Sequence, residues 1–87
     1  MARIYDLRQK EVINVKDGVR FGYICDFEFN CECGKLTHII IPGPGRVFGV
    51  FGREQEYKIP WEKIKQIGDE IILVEVDTKK VLVDIEE

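Results

Sequence analysis

The chain lacks long apolar stretches. Its apolar runs, such as Ile39-Ile40-Ile41, fall far short of the ~18 residues that a membrane-spanning helix needs. The opening Met1-Ala2-Arg3-Ile4-Tyr5-Asp6 carries no apolar signal core, so the expected compartment is the cytoplasm, with the three cysteines as reduced thiols. A basic excess is also missing. Net charge is −3, with seven Lys/Arg against six Asp/Glu in residues 1–46 and six against ten in 47–87. Binding to nucleic acid relies on basic side chains that release phosphate counterions, so this balance disfavours such a partner. The small group Arg3, Arg8, Lys10 and Arg20 reads as solvated surface. Internal repeats and low-complexity segments are absent as well.

What is present is an ordinary globular composition, 45% apolar and 33% charged. Eighty-seven residues allow one domain, 1–87, with one modest core. Short strands separated by turn signals dominate. Val12-Ile13-Asn14-Val15 runs into Asp17-Gly18, a pair that accepts positive φ and favours a tight hairpin. From Arg20 to Phe29 the aromatic residues Phe21, Tyr23, Phe27 and Phe29 fall at odd positions, with Cys25 among them. That spacing predicts one strand face, with Ile24 marking a bulge or two-sided burial. A turn over Asn30–Lys35 would pair Phe29 with Leu36, Phe27 with His38 and Cys25 with Ile40. Trp61, Ile64 and Ile67 suggest one helical or 3₁₀ turn stopped by Gly68. At the end, Asp77–Lys80 is expected as a hairpin loop pairing Val76 with Val81, Val74 with Val83 and Ile72 with Ile85. The sum is an all-β chain of five or six strands forming a small barrel with one short helical turn.

Several groups of residues invite a chemical reading. Cys25, Cys31, Cys33 and His38 match a zinc-ligand count. Only Cys31 and Cys33 are close in sequence, however; Cys25 and His38 lie well along the strands, His38 roughly 13 Å from the turn at ~3.3 Å per residue. Two ligands do not close a site without a second copy. A Cys25–His38 nucleophile pair lacks a third member, because Asp26 points to the opposite strand face, and it lacks an oxyanion turn. Asp26 and Glu28 are two apart on one face but sit outside any water-excluding cleft. Pro42-Gly43-Pro44-Gly45-Arg46 is not a phosphate loop, since prolines remove N–H donors and no Lys-Ser/Thr follows. The segment from Pro42 to Gln55 nevertheless carries Val47, Phe48, Val50 and Phe51, unusually apolar for a loop. Burying all four is worth on the order of 6–12 kcal/mol, so they are expected either to fold over an open barrel end or to meet a partner.

Ile4-Tyr5-Asp6-Leu7, Lys10-Glu11-Val12-Ile13-Asn14, Asp17-Gly18 and Phe21-Gly22-Tyr23-Ile24-Cys25-Asp26 together resemble the opening of a PRC-barrel domain. Gly34-Lys35 through Ile39-Ile40-Ile41-Pro42-Gly43 fits the same pattern, as do Ile59-Pro60-Trp61, Ile64, Ile67-Gly68 and Ile71-Ile72-Leu73-Val74. The Pro-Gly and Phe-Gly-Val-Phe-Gly loop is similar to that of the YlmC/YmxH-type sporulation proteins, stand-alone PRC-barrels. The resemblance covers about residues 3–76; residues 77–87 would add a terminal strand. It implies a partly open barrel and a docking role, as in the relatives found in a ribosome-maturation factor and in the photosynthetic reaction-centre H subunit. No catalytic residues come with it. The expected function is therefore a non-enzymatic interaction module that binds a protein or a second copy of itself through Val47, Phe48, Val50 and Phe51. It requires no cofactor, and no small-molecule substrate is evident. The alternatives are a small metal- or ligand-binding protein using Cys31 and Cys33, and an RNA-processing accessory factor.

Overall fold

A computed structural model describes residues 2–44 and 55–85. After a short helix α1 (Ile4–Arg8) come strands β1 (Glu11–Asn14), β2 (Arg20–Tyr23), β3 (Asp26–Phe29), β4 (Leu36–Pro42) and β5 (Gln55–Pro60). A 3₁₀ turn (Trp61–Lys63) leads into β6 (Ile64–Ile67) and β7 (Ile71–Val74), and a helical turn α2 (Thr78–Val81) precedes β8 (Leu82–Asp84). The strands form two four-stranded sheets, ordered β2-β1-β7-β6 and β3-β4-β5-β8. The described sheets do not close on one another by hydrogen bonds, which leaves the barrel partly open.

The expected first hairpin is present. Gly18 takes φ +75°, its N–H donates to the Asn14 carbonyl at 2.8 Å, and the Asn14 N–H donates to Val19 at 2.9 Å. The stretch from Arg20 to Phe29 is not one strand. It ends in the first sheet at Tyr23, crosses at Ile24-Cys25 and re-enters the second sheet at Asp26. Ile24 is buried at this crossing while Tyr23 and Phe29 are exposed, so the odd-numbered aromatics share no single face. The turn at Asn30 is closed by Asn30 N–H to the Lys35 carbonyl at 2.8 Å, and Phe29 faces Leu36 as the spacing requires. A register shift between Glu28 and Phe29 then moves the ladder by one residue: Phe27 faces Ile39, Glu28 faces His38 and Asp26 faces Ile40.

The expected terminal hairpin does not form. β7 is hydrogen-bonded on both sides, in parallel to β1 and antiparallel to β6, so it has no free edge for β8. Asp77 instead caps α2, its carboxylate accepting from the Lys79 N–H at 3.1 Å. The added strand crosses to the second sheet and pairs with β5, Tyr57 facing Leu82 and Gln55 facing Asp84. The helical content also exceeds expectation, with α1 and α2 in addition to the turn at Trp61. That turn spans only Trp61–Lys63, and Ile64 and Ile67 belong to β6.

Alternation builds the core. Val12 and Asn14 of β1 lie beside Ile72 and Val74 of β7 in the parallel register, and all four are fully buried. Ile39, Ile41 and Ile59 supply the facing layer from β4 and β5. Phe21 and Tyr57 bridge the sheets with ring centroids 4.7 Å apart and planes tilted by 57°, a favourable aromatic geometry.

Candidate interaction surface

The β4–β5 ladder fixes where the apolar loop leaves the barrel. Pairing runs from His38–Pro60 out to Pro42–Glu56, and the Gly43 N–H donates to the Gln55 carbonyl at 2.9 Å. A Cβ at Gly43 would lie 2.7 Å from the Gln55 oxygen, so only glycine permits this approach. The loop therefore springs from a pinned base at one end of the second sheet. Val47, Phe48, Val50 and Phe51 lie outside the described residues.

The cysteines are dispersed. Cys31 and Cys33 sit in the exposed β3–β4 turn and Cys25 in the crossing between sheets. Among the described residues, no group of three or more His, Cys, Asp or Glu is placed to hold a metal ion. The Cys25 N–H donates to the Ile40 carbonyl at 2.8 Å. Desolvation pushes its thiol above the ordinary value, and the carboxylates of Asp26 and Glu56 add to the shift. This is the opposite of what a nucleophilic thiolate needs. The contacts of His38 lie elsewhere. Its Nδ1 is 3.0 Å from Thr37 Oγ1 and 3.3 Å from Glu28 Oε1, and the same carboxylate oxygen is 3.1 Å from Lys58 Nζ. Asp26 accepts from the Phe27 N–H at 2.8 Å. The basic group at the start of the chain is partly committed to structure. Arg20 makes a two-pronged contact with Glu11 at 2.6 and 3.2 Å, and Lys10 Nζ donates to the carbonyls of Gly68 and Asp69 at 2.5 and 2.6 Å.

One polar centre escaped the reading of the sequence. Asn14 is fully buried. Its Nδ2 donates to the Val76 carbonyl at 2.8 Å and to Thr78 Oγ1 at 3.1 Å. Its Oδ1 accepts from the N–H groups of Val76 and Lys16, each at 3.2 Å. Thr78 Oγ1 donates onward to Asp17 at 2.6 Å, which, with the Val19 N–H on the same carboxyl, holds Asp17 below the usual carboxylate range. The network ties the β1–β2 turn to the segment between β7 and α2. Its signal was available: an amide at an inward strand position, two residues after Val12.

Two four-stranded sheets joined by crossings at Ile24-Cys25, at Trp61–Lys63 and between β7 and β8 define a small, partly open barrel domain. The PRC-barrel domain model matches residues 1–85, and the chain belongs to the PRC-barrel family. It is 43% identical over 74 residues to the probable sporulation protein YlmC of Bacillus subtilis, covering 85% of this chain and 91% of that protein. It is 30% identical over 76 residues to the uncharacterized protein YmxH of the same organism, covering 85% and 88%. An uncharacterized protein of Clostridium acetobutylicum is 35% identical over 71 residues, covering 82% and 80%.

Proposed function

We propose that this protein is a non-enzymatic interaction module, acting in the cytoplasm of a spore-forming cell and docking through the loop between β4 and β5. The occupant of that loop is a protein, either foreign or a second copy of the chain. The observation that supports the reading is the close-packed pair Gly43 and Gln55, between which the sequence carries Val47, Phe48, Val50 and Phe51. Association gains most from a few buried aromatic anchors, and the loop supplies two. The sporulation context is supported by the name given to the Bacillus subtilis relative. The raised Cys25 thiol and the separate engagement of His38 and Asp26 favour binding over catalysis.

The test is the double substitution Phe48→Ser/Phe51→Ser. Association measured by sedimentation and by quantitative cross-linking is expected to fall, with the melting curve unchanged. Association equal to that of the unaltered protein would refute the loop as the docking element.

A further inference from the structure

At the end of β5 opposite the loop, Pro60, Val76 and Val81 floor a cavity of about 340 Å³ rimmed by Lys16, Lys63 and Lys80. The volume lies within the range of small-ligand pockets. The three lysines come from three elements: the β1–β2 turn, the 3₁₀ turn and α2. Each of those segments is tied to the stretch from Glu75 to Thr78. The Lys16 N–H donates to Asn14 Oδ1, which also accepts from the Val76 N–H. The Glu75 N–H donates to the Lys63 carbonyl at 3.0 Å. Thr78, the first residue of α2, bonds both Asn14 and Asp17. The rim is thus built on a hydrogen-bonded frame rather than on independent loops.

The ammonium groups themselves are uncommitted. Among the described residues, Lys10 is spent on carbonyls, Lys58 on Glu28 and Lys65 on Glu75. Lys16, Lys63 and Lys80 make no ion pair. Two acids also line the cavity, and both have other roles. Glu75 Oε1 is 3.7 Å from Lys65 Nζ, and Asp77 caps α2. Against the carboxylates of Glu75 and Asp77, the three lysines still leave the lining net positive in a chain of net charge −3, around an apolar floor whose two valines are almost fully buried.

We infer that this cavity binds a small amphipathic organic anion, a phosphate or carboxylate head on an apolar body. The head would sit among Lys16, Lys63 and Lys80, which act as point charges suited to either group, and the body would lie on Pro60, Val76 and Val81. The site lies at the far end of β5 from the Gly43–Gln55 pair, about 17 Å away at ~3.3 Å per residue.

The experiment is an amide-resolved NMR titration of the full chain with octyl phosphate and octanoate below their micelle concentrations, beside inorganic phosphate. Octyl phosphate is expected to shift the amides of 16, 63 and 75–81, inorganic phosphate the same set more weakly, and binding is expected to weaken as salt rises. The variant Lys16→Gln/Lys63→Gln/Lys80→Gln, which changes only exposed side chains, is expected to bind about tenfold more weakly, from roughly two- to threefold per exposed charge. Lys35→Gln, in the distant β3–β4 turn, is expected to bind as the unaltered chain does. Three results would overturn the assignment: no shift with either octyl anion, equal binding by the triple variant, or binding only to anionic phosphatidylglycerol vesicles, which would mean a flat lipid contact instead of a pocket.

Discussion

Replacing Asn14 by alanine removes one side chain and four hydrogen bonds. The Lys16 N–H and the Thr78 hydroxyl are near the surface and can turn to water. The Val76 N–H and carbonyl are not, because both of their bonds to Asn14 are buried. An orphaned buried polar group costs about 1–3 kcal/mol, so the two together cost about 2–6 kcal/mol. Entry of a water into the vacated space would bring the loss toward the lower bound. A central figure of about 3 kcal/mol is large against a total of about 4–13 kcal/mol for a chain of this length. With an unfolding entropy of about 2.1 cal/mol/K per residue, it corresponds to a fall in Tm of about 15 °C. Urea denaturation followed by tryptophan fluorescence would measure it, since Trp61 packs against the core. Thr78→Val, which removes one arm of the same network, should cost clearly less. A loss below about 1 kcal/mol for Asn14→Ala would refute the view that this amide holds the β1–β2 turn to the 75–78 segment.

Gly43→Ala places a methyl 2.7 Å from the Gln55 carbonyl oxygen and should cost about 1–3 kcal/mol through forced backbone movement, read as a lower urea midpoint; an unchanged midpoint would show that the hairpin base is not close-packed. The Arg20 hydrogen bond draws the Glu11 carboxyl below its ordinary value of 4.5. A depressed carboxyl stabilises the folded state above its unfolded pKa, and that contribution fades as pH falls through the lower, folded value. Glu11→Gln should therefore flatten the fall in Tm below about pH 4.5, and an identical acid limb would contradict the pairing. The desolvated Cys25 thiol should react with iodoacetamide at pH 8 more slowly than free cysteine, as residue-resolved mass spectrometry would show; a faster rate would restore the nucleophile reading. Cys31→Ser/Cys33→Ser should leave the native mass unchanged apart from the substitutions, whereas loss of a zinc increment would put a metal in the turn.

Local signals proved legible where one residue type decides the backbone. Asp17-Gly18 marked the first hairpin and the Asn30–Lys35 turn the second, because positive φ and side-chain acceptors act within a few residues. The ordered motifs from Ile4 to Val74 carried the family, which fixed the partly open barrel where periodicity alone allowed other arrangements. Long-range pairing was not legible. The alternating Ile72, Val74 and Val76 matched Val81, Val83 and Ile85 as a hairpin would, yet β1 competes for the same edge of β7 through Val12 and Asn14. A residue 60 positions away wins that edge, and no local pattern records it. The crossing at Ile24-Cys25 was similarly hidden, since aromatic alternation persists in sequence while the strand changes sheets. For the interaction surface, the sequence named the apolar loop but could not reveal the lysine-rimmed cavity, whose three cations are spread from residue 16 to residue 80.

The central claim, that the protein works by docking its apolar loop, is tested most directly by comparing the association of the unaltered chain with that of Phe48→Ser/Phe51→Ser in native mass spectra of purified protein, alone and with extract from the producing cells. The account predicts a defined complex, either a dimer or one discrete foreign partner, that disappears in the substituted chain while its thermal melt is preserved. A complex of equal abundance in both proteins, or a monomer without partners in both, would contradict it.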